Sequence, residues 1–417
     1  MKNVSKLIMV AAFLLALASC TKDFTYEHYT FYRPVYETKA SVKANIKSSA
    51  PVSIENPGKI YVKGNYVFLN DINKGIHIID YSNPSTPVNK AFVAIPGCRD
   101  IAVKDNFMYA DCYTDLVTID IADANNVVLK NYINGVFPNR YYDAGLNMDT
   151  SMVILSWVRV DTMVKREAGM REDWWINDSS MIFDFNMPNA SSSGGLSNGN
   201  GVGGSMAAFA LSGNRLYTVD NTNLKIFNTV NAGAPQYISN VNLGTWNIET
   251  VFPFQDKLFI GSQNGMLIYS IANADAPVFL SSFEHATVCD PVIADGNTAY
   301  ITLRSGGICM GIENQMEVLN IQNILNPQLI KTYPMTHPAG LSKDGHALLV
   351  CDKGAGLKLL DATNATTIAQ KAMISNIDPY DVIALNGTAI VSASDGIYFV
   401  SYALPNTLVV KGKINVN

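Results

Sequence analysis

The sequence predicts an all-β fold, a β-propeller of about eight four-stranded blades, with seven as the alternative count. Three observations carry this expectation. Seven segments align without a gap: GIHIIDYSNPSTPV (75–88), DLVTIDIADANNVV (115–128), NLKIFNTVNAGAPQ (223–236), GMLIYSIANADAPV (265–278), QMEVLNIQNILNPQ (315–328), GLKLLDATNATTIA (356–369) and GIYFVSYALPNTLV (396–409). Each is preceded by two short apolar runs around a tight-turn signal, as in KIYVKGNYVFLN (59–70), PVIADGNTAYIT (291–302) and DVIALNGTAIVS (381–392). Regular copies start 40–42 residues apart, as from Gly75 to Asp115.

The aligned segments open as strands, and most then reach a cluster of Asn, Asp, Ser or Pro, which ends strands and forms turns. The preceding runs read as hairpins, because Lys-Gly-Asn, Asp-Gly-Asn and Asn-Gly favour the tight turns that join antiparallel strands. A further apolar stretch closes most units, so each period holds about four strands. Four-strand units of this length are the mark of propeller blades. A degenerate eighth copy is SSMIFDFNMPNASS (179–192).

The chain divides into a leader at 1–19, a tether at 20–40 and one propeller domain at 41–417, with an insertion at about 161–204. Lys2 and Lys6 precede an apolar run and then Leu17-Ala18-Ser19-Cys20. A basic start, a short apolar stretch and small residues mark a secretory signal. The ending resembles the bacterial lipobox, in which the cysteine is lipidated. Cys20 is therefore the expected lipid attachment point and the membrane the expected anchor. Thr21, not an aspartate, follows it, which by the same resemblance implies an outer-membrane destination.

The formal net charge is −5, and without residues 1–20 it is 28 basic against 35 acidic residues, or −7. No basic surface suits a nucleic acid. Hydrophobic residues are 48% and charged residues 16%, as expected of much buried sheet.

The segments GIHIIDYSNPSTPV and DLVTIDIADANNVV, with NPGKIYVKGNYVFLND and CDPVIADGNTAYITLRSG, resemble LVIVD repeats, especially those of Bacteroidetes lipoproteins. The resemblance runs over roughly residues 50–417. It implies a β-propeller exposed in the periplasm or at the cell surface, and it supplies no catalytic residues.

In a propeller, the loops between strands two and three open on the same face as the junctions between blades. Two departures from the repeat fall there: the insertion at about Asp161–Ser180 and the loop Arg304–Asn314. Trp174, Trp175 and Trp246, with Arg99, Arg140, Arg171 and Arg304, and His337 at a junction, form the expected binding face. Aromatic and arginine side chains suit binding surfaces, although the tryptophans equally suit packing of the insertion. The Gly- and Ser-rich stretch 191–204 reads as a mobile loop.

No motif for nucleophilic, phosphate or zinc chemistry is present. The histidines lack metal-ligand spacing, and His77, between Ile76 and Ile78, reads as an exposed strand residue. No cofactor or metal is expected, apart from a channel Ca²⁺ held by aspartates near strand-two ends: Asp71, Asp111, Asp220, Asp352 and Asp395. Turn formation by those aspartates accounts for the pattern more simply. Cys98 and Cys112 flank a turn centred near Asp105, which suggests a disulfide. The function expected is non-enzymatic binding or scaffolding of an envelope protein or glycan. The alternative is a metal-assisted hydrolase working over the central channel. A dense cluster of convergent carboxylates or histidines at the channel mouth would favour the enzyme, and an apolar, aromatic face with isolated arginines would favour binding.

Overall fold

The computed structural model describes residues 24–138, 152–167, 200–284, 291–305 and 314–416. They form eight sheets, seven of which carry the antiparallel four-strand order of a propeller blade. Blade 1 is Pro57–Lys63, Tyr66–Asp71, Gly75–Asp80 and Val88–Ala94; blade 2 is Ile101–Lys104, Phe107–Cys112, Asp115–Asp120 and Val128–Ile133. Blade 3 is Phe209–Ser212, Arg215–Val219, Asn223–Asn228 and Gln236–Asn242; blade 4 is Ile248–Phe254, Lys257–Ser262, Gly265–Ser270 and Val278–Glu284. Blade 5 is Val292–Asp295, Thr298–Leu303, Gln315–Asn320 and Gln328–Pro334; blade 6 is Pro338–Asp344, Ala347–Asp352, Gly356–Asp361 and Ala369–Ile374. Blade 7 is Pro379–Leu385, Thr388–Ala393, Gly396–Ser401 and Val409–Asn415. The first strand of each blade neighbours that of the next, and blade 7 returns to blade 1. The expected propeller is therefore what forms; the degenerate copy at 179–192 lies outside the described residues.

The eighth sheet is a two-stranded ribbon of Phe24–Thr38 and Met152–Glu167. Residues 24–35 and 156–167 form a compact unit of their own. Within it Thr30 Oγ1 donates to Asp161 Oδ1 (2.6 Å), and Tyr26, Tyr29, Phe31 and Tyr32 are exposed. The stretch expected as a tether is thus mostly strand, and the insertion expected to begin near Asp161 instead continues a strand already begun at Met152. Alternating tyrosines and β-branched residues favour extended pairing.

The second and third strands of most blades are buried almost throughout; Tyr66–Asp71 and Gly75–Asp80 each bury five consecutive residues. Blades stack on both faces, so both sides of a strand are covered and the apolar runs lose their alternation. His77 follows this rule and not the exposed reading. It is 0% exposed, its Nε2 meets Asp71 Oδ2 (3.2 Å), its Nδ1 accepts from Asn89 (3.2 Å), and its ring packs on Phe92.

The polar residue that ends each third strand turns the chain. Asp80, Asp120 and Asp361 each accept the backbone N–H two residues on, from Ser82, Ala122 and Thr363. Asn83 and Asn364 repeat the bond to Ser85 and Thr366. These side-chain turns explain the Asn/Asp spacing in the aligned segments.

Every described blade is continuous in sequence, and the ring closes where blade 7 packs on blade 1 through Ile60, Leu69, Ile383 and Phe399, with further contacts from the segment that precedes blade 1. A short helix, α1 (Lys39–Asn45), capped by Thr38, buries Val42 in the core shared by blades 1 and 2. Ser48 and Ser49 then pair with Val93 and Phe92 on the outer strand of blade 1. Ile54 bridges Val416 at the end of blade 7.

Candidate functional site

The loops between strands two and three share one face with the blade junctions, as the topology requires. Specific bonds tie them together. Asp71 accepts from the backbone of Glu55 (2.9 Å) and Asn56 (3.1 Å). Asp111 accepts from Arg99 (2.8 Å) and Asp100 (2.7 Å). Asp352 accepts from Thr336 (3.0 Å) and His337 (2.6 Å). Burial pushes the Asp71 carboxyl up, but the His77 bond and the two backbone N–H groups outweigh it and hold it below the usual range. Asp220 accepts from Thr222 and Asn223 within its own loop, and Asp395 accepts from Tyr398 and Lys413. The aspartates considered for a channel Ca²⁺ are thus turned onto backbone and neighbouring side chains. Among the described residues, no three His, Cys, Asp or Glu side chains group to hold a metal.

A second set of charges surrounds the axis. Lys59 of blade 1 pairs with Asp100 of blade 2, and both are buried. Asp100 Oδ2 also accepts from the backbone of Ala208 (2.5 Å), where the chain enters blade 3. Burial raises the Asp100 carboxyl, with Lys59 opposing the rise. On blade 4, Glu249 Oε1 accepts from Gln263 Nε2 (3.2 Å), and Gln263 Oε1 accepts from Asn247 Nδ2 (2.8 Å). Burial pushes the Glu249 carboxyl up to about 7, while Arg304, Gln263 and Lys59 pull the other way.

The axis itself is occupied by the protein's own chain. Val202 and Gly203 pair with Val62 and Tyr61 on the innermost strand of blade 1. Gly201 donates to Val103 O on blade 2 (2.8 Å), and Ser205 Oγ accepts from Leu341 on blade 6 (2.7 Å). A Cβ on Gly201 would lie 2.7 Å from the carbonyl oxygen of Val62, and one on Gly204 would lie 2.1 Å from Asp381 Oδ2 on blade 7. Glycines here permit close backbone approach. Residues 200–204, expected to be a mobile loop, are therefore the ordered end of the insertion; residues 191–199 lie outside the described residues.

Trp246 is 70% exposed at the junction of blades 3 and 4. Arg304 is 5% exposed at the end of the second strand of blade 5. His337 Nε2 donates to the carbonyl of Ser305 (2.7 Å), fixing the base of the 304–314 loop. Arg99 is half-buried at the junction of blades 1 and 2. These four share the junction face. Trp174, Trp175, Arg140 and Arg171 lie outside the described residues. Lys59, Asp100, Glu249 and Gln263 escaped the sequence reading. Their only signal is a charged or polar residue at the mouth-side end of an otherwise apolar strand.

Cys98 and Cys112 are both buried and are not bridged to one another, unlike the expected disulfide; Cys98 Sγ meets the carbonyl of Asp100 (3.7 Å). The turn holds Asp105 and Asn106, since Lys104 pairs with Phe107 and Ile101 with Ala110. Continued outward, that register sets Arg99, not Cys98, opposite Cys112. A slip of one residue sends a side chain to the other face. Cys351 is a free, buried thiol; Cys289 and Cys309 lie outside the described residues.

The LVIVD repeat family model matches residues 57–94 and 97–134, the first of which spans blade 1 and the second blade 2. The chain carries LVIVD repeats. Each matched LVIVD repeat is one blade, and the aspartates ending its hydrophobic strand are Asp80 and Asp120. Among solved structures, the fold is similar to the computationally designed Ika8 protein, at 10% identity and TM-score 0.52, over 88% of this chain and 91% of that one. It is similar to the periplasmic gluconolactonase of Pseudomonas aeruginosa, at 10% identity and TM-score 0.51, over 87% and 97%. A protein from Lactobacillus plantarum matches at 12% identity and TM-score 0.50, over 80% and 89%. At such identities these likenesses establish the fold alone. No curated protein matches the chain.

Proposed function

We propose that this chain is a lipid-anchored envelope protein whose propeller binds an envelope protein or glycan on its junction face and catalyses no reaction. The observation that carries the reading is the use made of the carboxylates. A metal-assisted hydrolase over the channel needs convergent carboxylates free to bind a metal. Asp71, Asp111 and Asp352 instead close the blade junctions through backbone N–H groups. Segment 200–205 supports the same reading, because it fills the axis where channel chemistry would operate. The exposed Trp246 offers a large, rigid contact surface on that face.

The anchor rests on Leu17–Cys20 and on the stable membrane attachment that more than one acyl chain gives. Membrane fractionation of Cys20→Ala tests it: the variant is expected in the soluble fraction, and retention in the membrane pellet contradicts the anchor. The binding face is tested on intact cells with a photo-crosslinking residue at position 246, compared with one at the exposed His346 of the opposite face. A discrete adduct from 246 and none from 346 is the expected result. Adducts from 346 alone, or from neither, contradict the reading.

A further inference from the structure

We infer that one face of the ribbon formed by residues 24–35 and 156–167, the face carrying Tyr29, Phe31 and Val158, seats in the headgroup layer of a phospholipid bilayer. The inference rests on the proposed anchor at Cys20 and adds a second contact with the same membrane. The two strands pair only with each other, and a two-stranded ribbon by itself is marginally stable in water. Side chains alternate between its faces. The bond from Thr30 Oγ1 to Asp161 Oδ1 (2.6 Å) sets those two on one face, where Arg159 pairs with Asp161 (3.1 Å). Tyr29 and Phe31, with ring centroids 6.1 Å apart, therefore take the other face, together with Val158 of the partner strand. They are 41%, 40% and 42% exposed. The apolar face of a sheet needs another element to cover it.

The length of chain before the ribbon names what covers this one. Phe24, the first residue of the ribbon, is four residues from Cys20. Four extended residues reach at most about 14 Å. The headgroup layer on each side of a bilayer is about 5–7 Å deep. An acylated Cys20 thus holds the start of the ribbon at the headgroups or just above them, where lipid is always within reach. Tyrosine rings, apolar in body and polar at the tip, collect at this depth. Arg33, exposed and two residues beyond Phe31 on the same face, is placed to donate to headgroup phosphate oxygens while its stem stays on the apolar side. Interfacial binding scales with the apolar area buried, so a few side chains add to the anchor and do not replace it.

The test uses the full mature chain, purified with its acyl chains and reconstituted in vesicles of equal parts phosphatidylethanolamine and phosphatidylglycerol. The photo-crosslinker p-benzoylphenylalanine replaces Tyr29 or Phe31 on the aromatic face, or Tyr32 on the Thr30 face, which is exposed to the same degree (42%). Intact mass reads the acylation of Cys20 and any photo-adduct together. Positions 29 and 31 are expected to add one phospholipid at least fivefold more often than position 32. Hydrogen exchange of peptide 26–33, with the natural residues in place, guards against misfolding of the crosslinking variants. It is expected to be at least fivefold slower in the anchored chain on vesicles than in soluble Cys20→Ala. The inference is overturned if the acylated chain shows no slowing, if the three positions add lipid equally, or if the adducts are second copies of the chain. A Cys20 without acyl chains removes the anchor and the inference with it. An acylated Cys20 without lipid adducts at 29 and 31 removes the ribbon surface and leaves the anchor standing.

Discussion

Lys59 on blade 1 and Asp100 on blade 2 form an ion pair across the blade boundary, with side-chain exposures of 6% and 1%. The same Asp100 oxygen holds the backbone of Ala208 at the entry to blade 3, so one carboxylate ties three consecutive blades. Removing one partner of a buried pair strands the other charge, at a cost of about 3–5 kcal/mol. Asp100→Asn is expected to lower the urea midpoint by a corresponding amount. Lys59→Met combined with Asp100→Leu is expected to cost less than the two single changes added together. Additive losses would show that the pair is not coupled.

Glu249 makes stability depend on pH. Its folded carboxyl titrates at about 7, against 4.5 for the unperturbed group, because burial disfavours the charge. Between those values the folded state holds a proton that the unfolded state has lost. Stability therefore falls as pH rises from about 4.5 to about 7. Denaturant unfolding across that range is expected to show this slope in the wild type and a shallower one in Glu249→Gln, the remainder coming from groups such as Asp100 that burial also raises. Equal slopes in both would remove Glu249 as the source.

The thiols give a chemical check on the register of blade 2. Burial pushes the Cys112 thiol up to about 12, and thiols react as thiolates. Alkylation at pH 8 is expected to spare Cys112 in the folded protein. Denaturation without reductant is expected to expose both Cys98 and Cys112 to modification, as mass spectrometry reads directly. A pair that reacts only after reduction would restore the disulfide.

The segment on the axis predicts that its glycines are structural. A Cβ at position 201 would meet Tyr61 and the Val62 carbonyl, and one at 204 would meet Asp381. Gly201→Val and Gly204→Val are each expected to destabilise by about 1–3 kcal/mol, the usual cost of overpacking. Unchanged melting temperatures in both would mean that the segment does not sit in the channel.

The repeats made the propeller legible, because strand, turn and polar stop recur at one spacing. The face was legible too, since strand order alone places Trp246, Arg304 and His337 on it. Other features depend on distances that spacing does not encode. The glycines at 201, 203 and 204 look like a flexible linker, and only the neighbouring Tyr61 and Asp381 reveal close packing. His77 alternates with isoleucines as an exposed residue would, but radial stacking buries both sides of its strand. Asp71, Asp111 and Asp352 looked like metal ligands or turn formers, and they cap the N–H groups of junctions 15, 11 and 15 residues away. Cys98 falls one place from the position opposite Cys112 because the turn holds two residues, Asp105 and Asn106.

Hydrogen–deuterium exchange with and without an envelope extract from the producing cells tests the central claim most directly. Slower exchange is expected in peptides covering 244–249, 262–264 and 335–338, on the junction face. The hairpin turns at 213–214 and 345–346, on the opposite face, are expected to exchange as before. Protection confined to those turns would contradict the account.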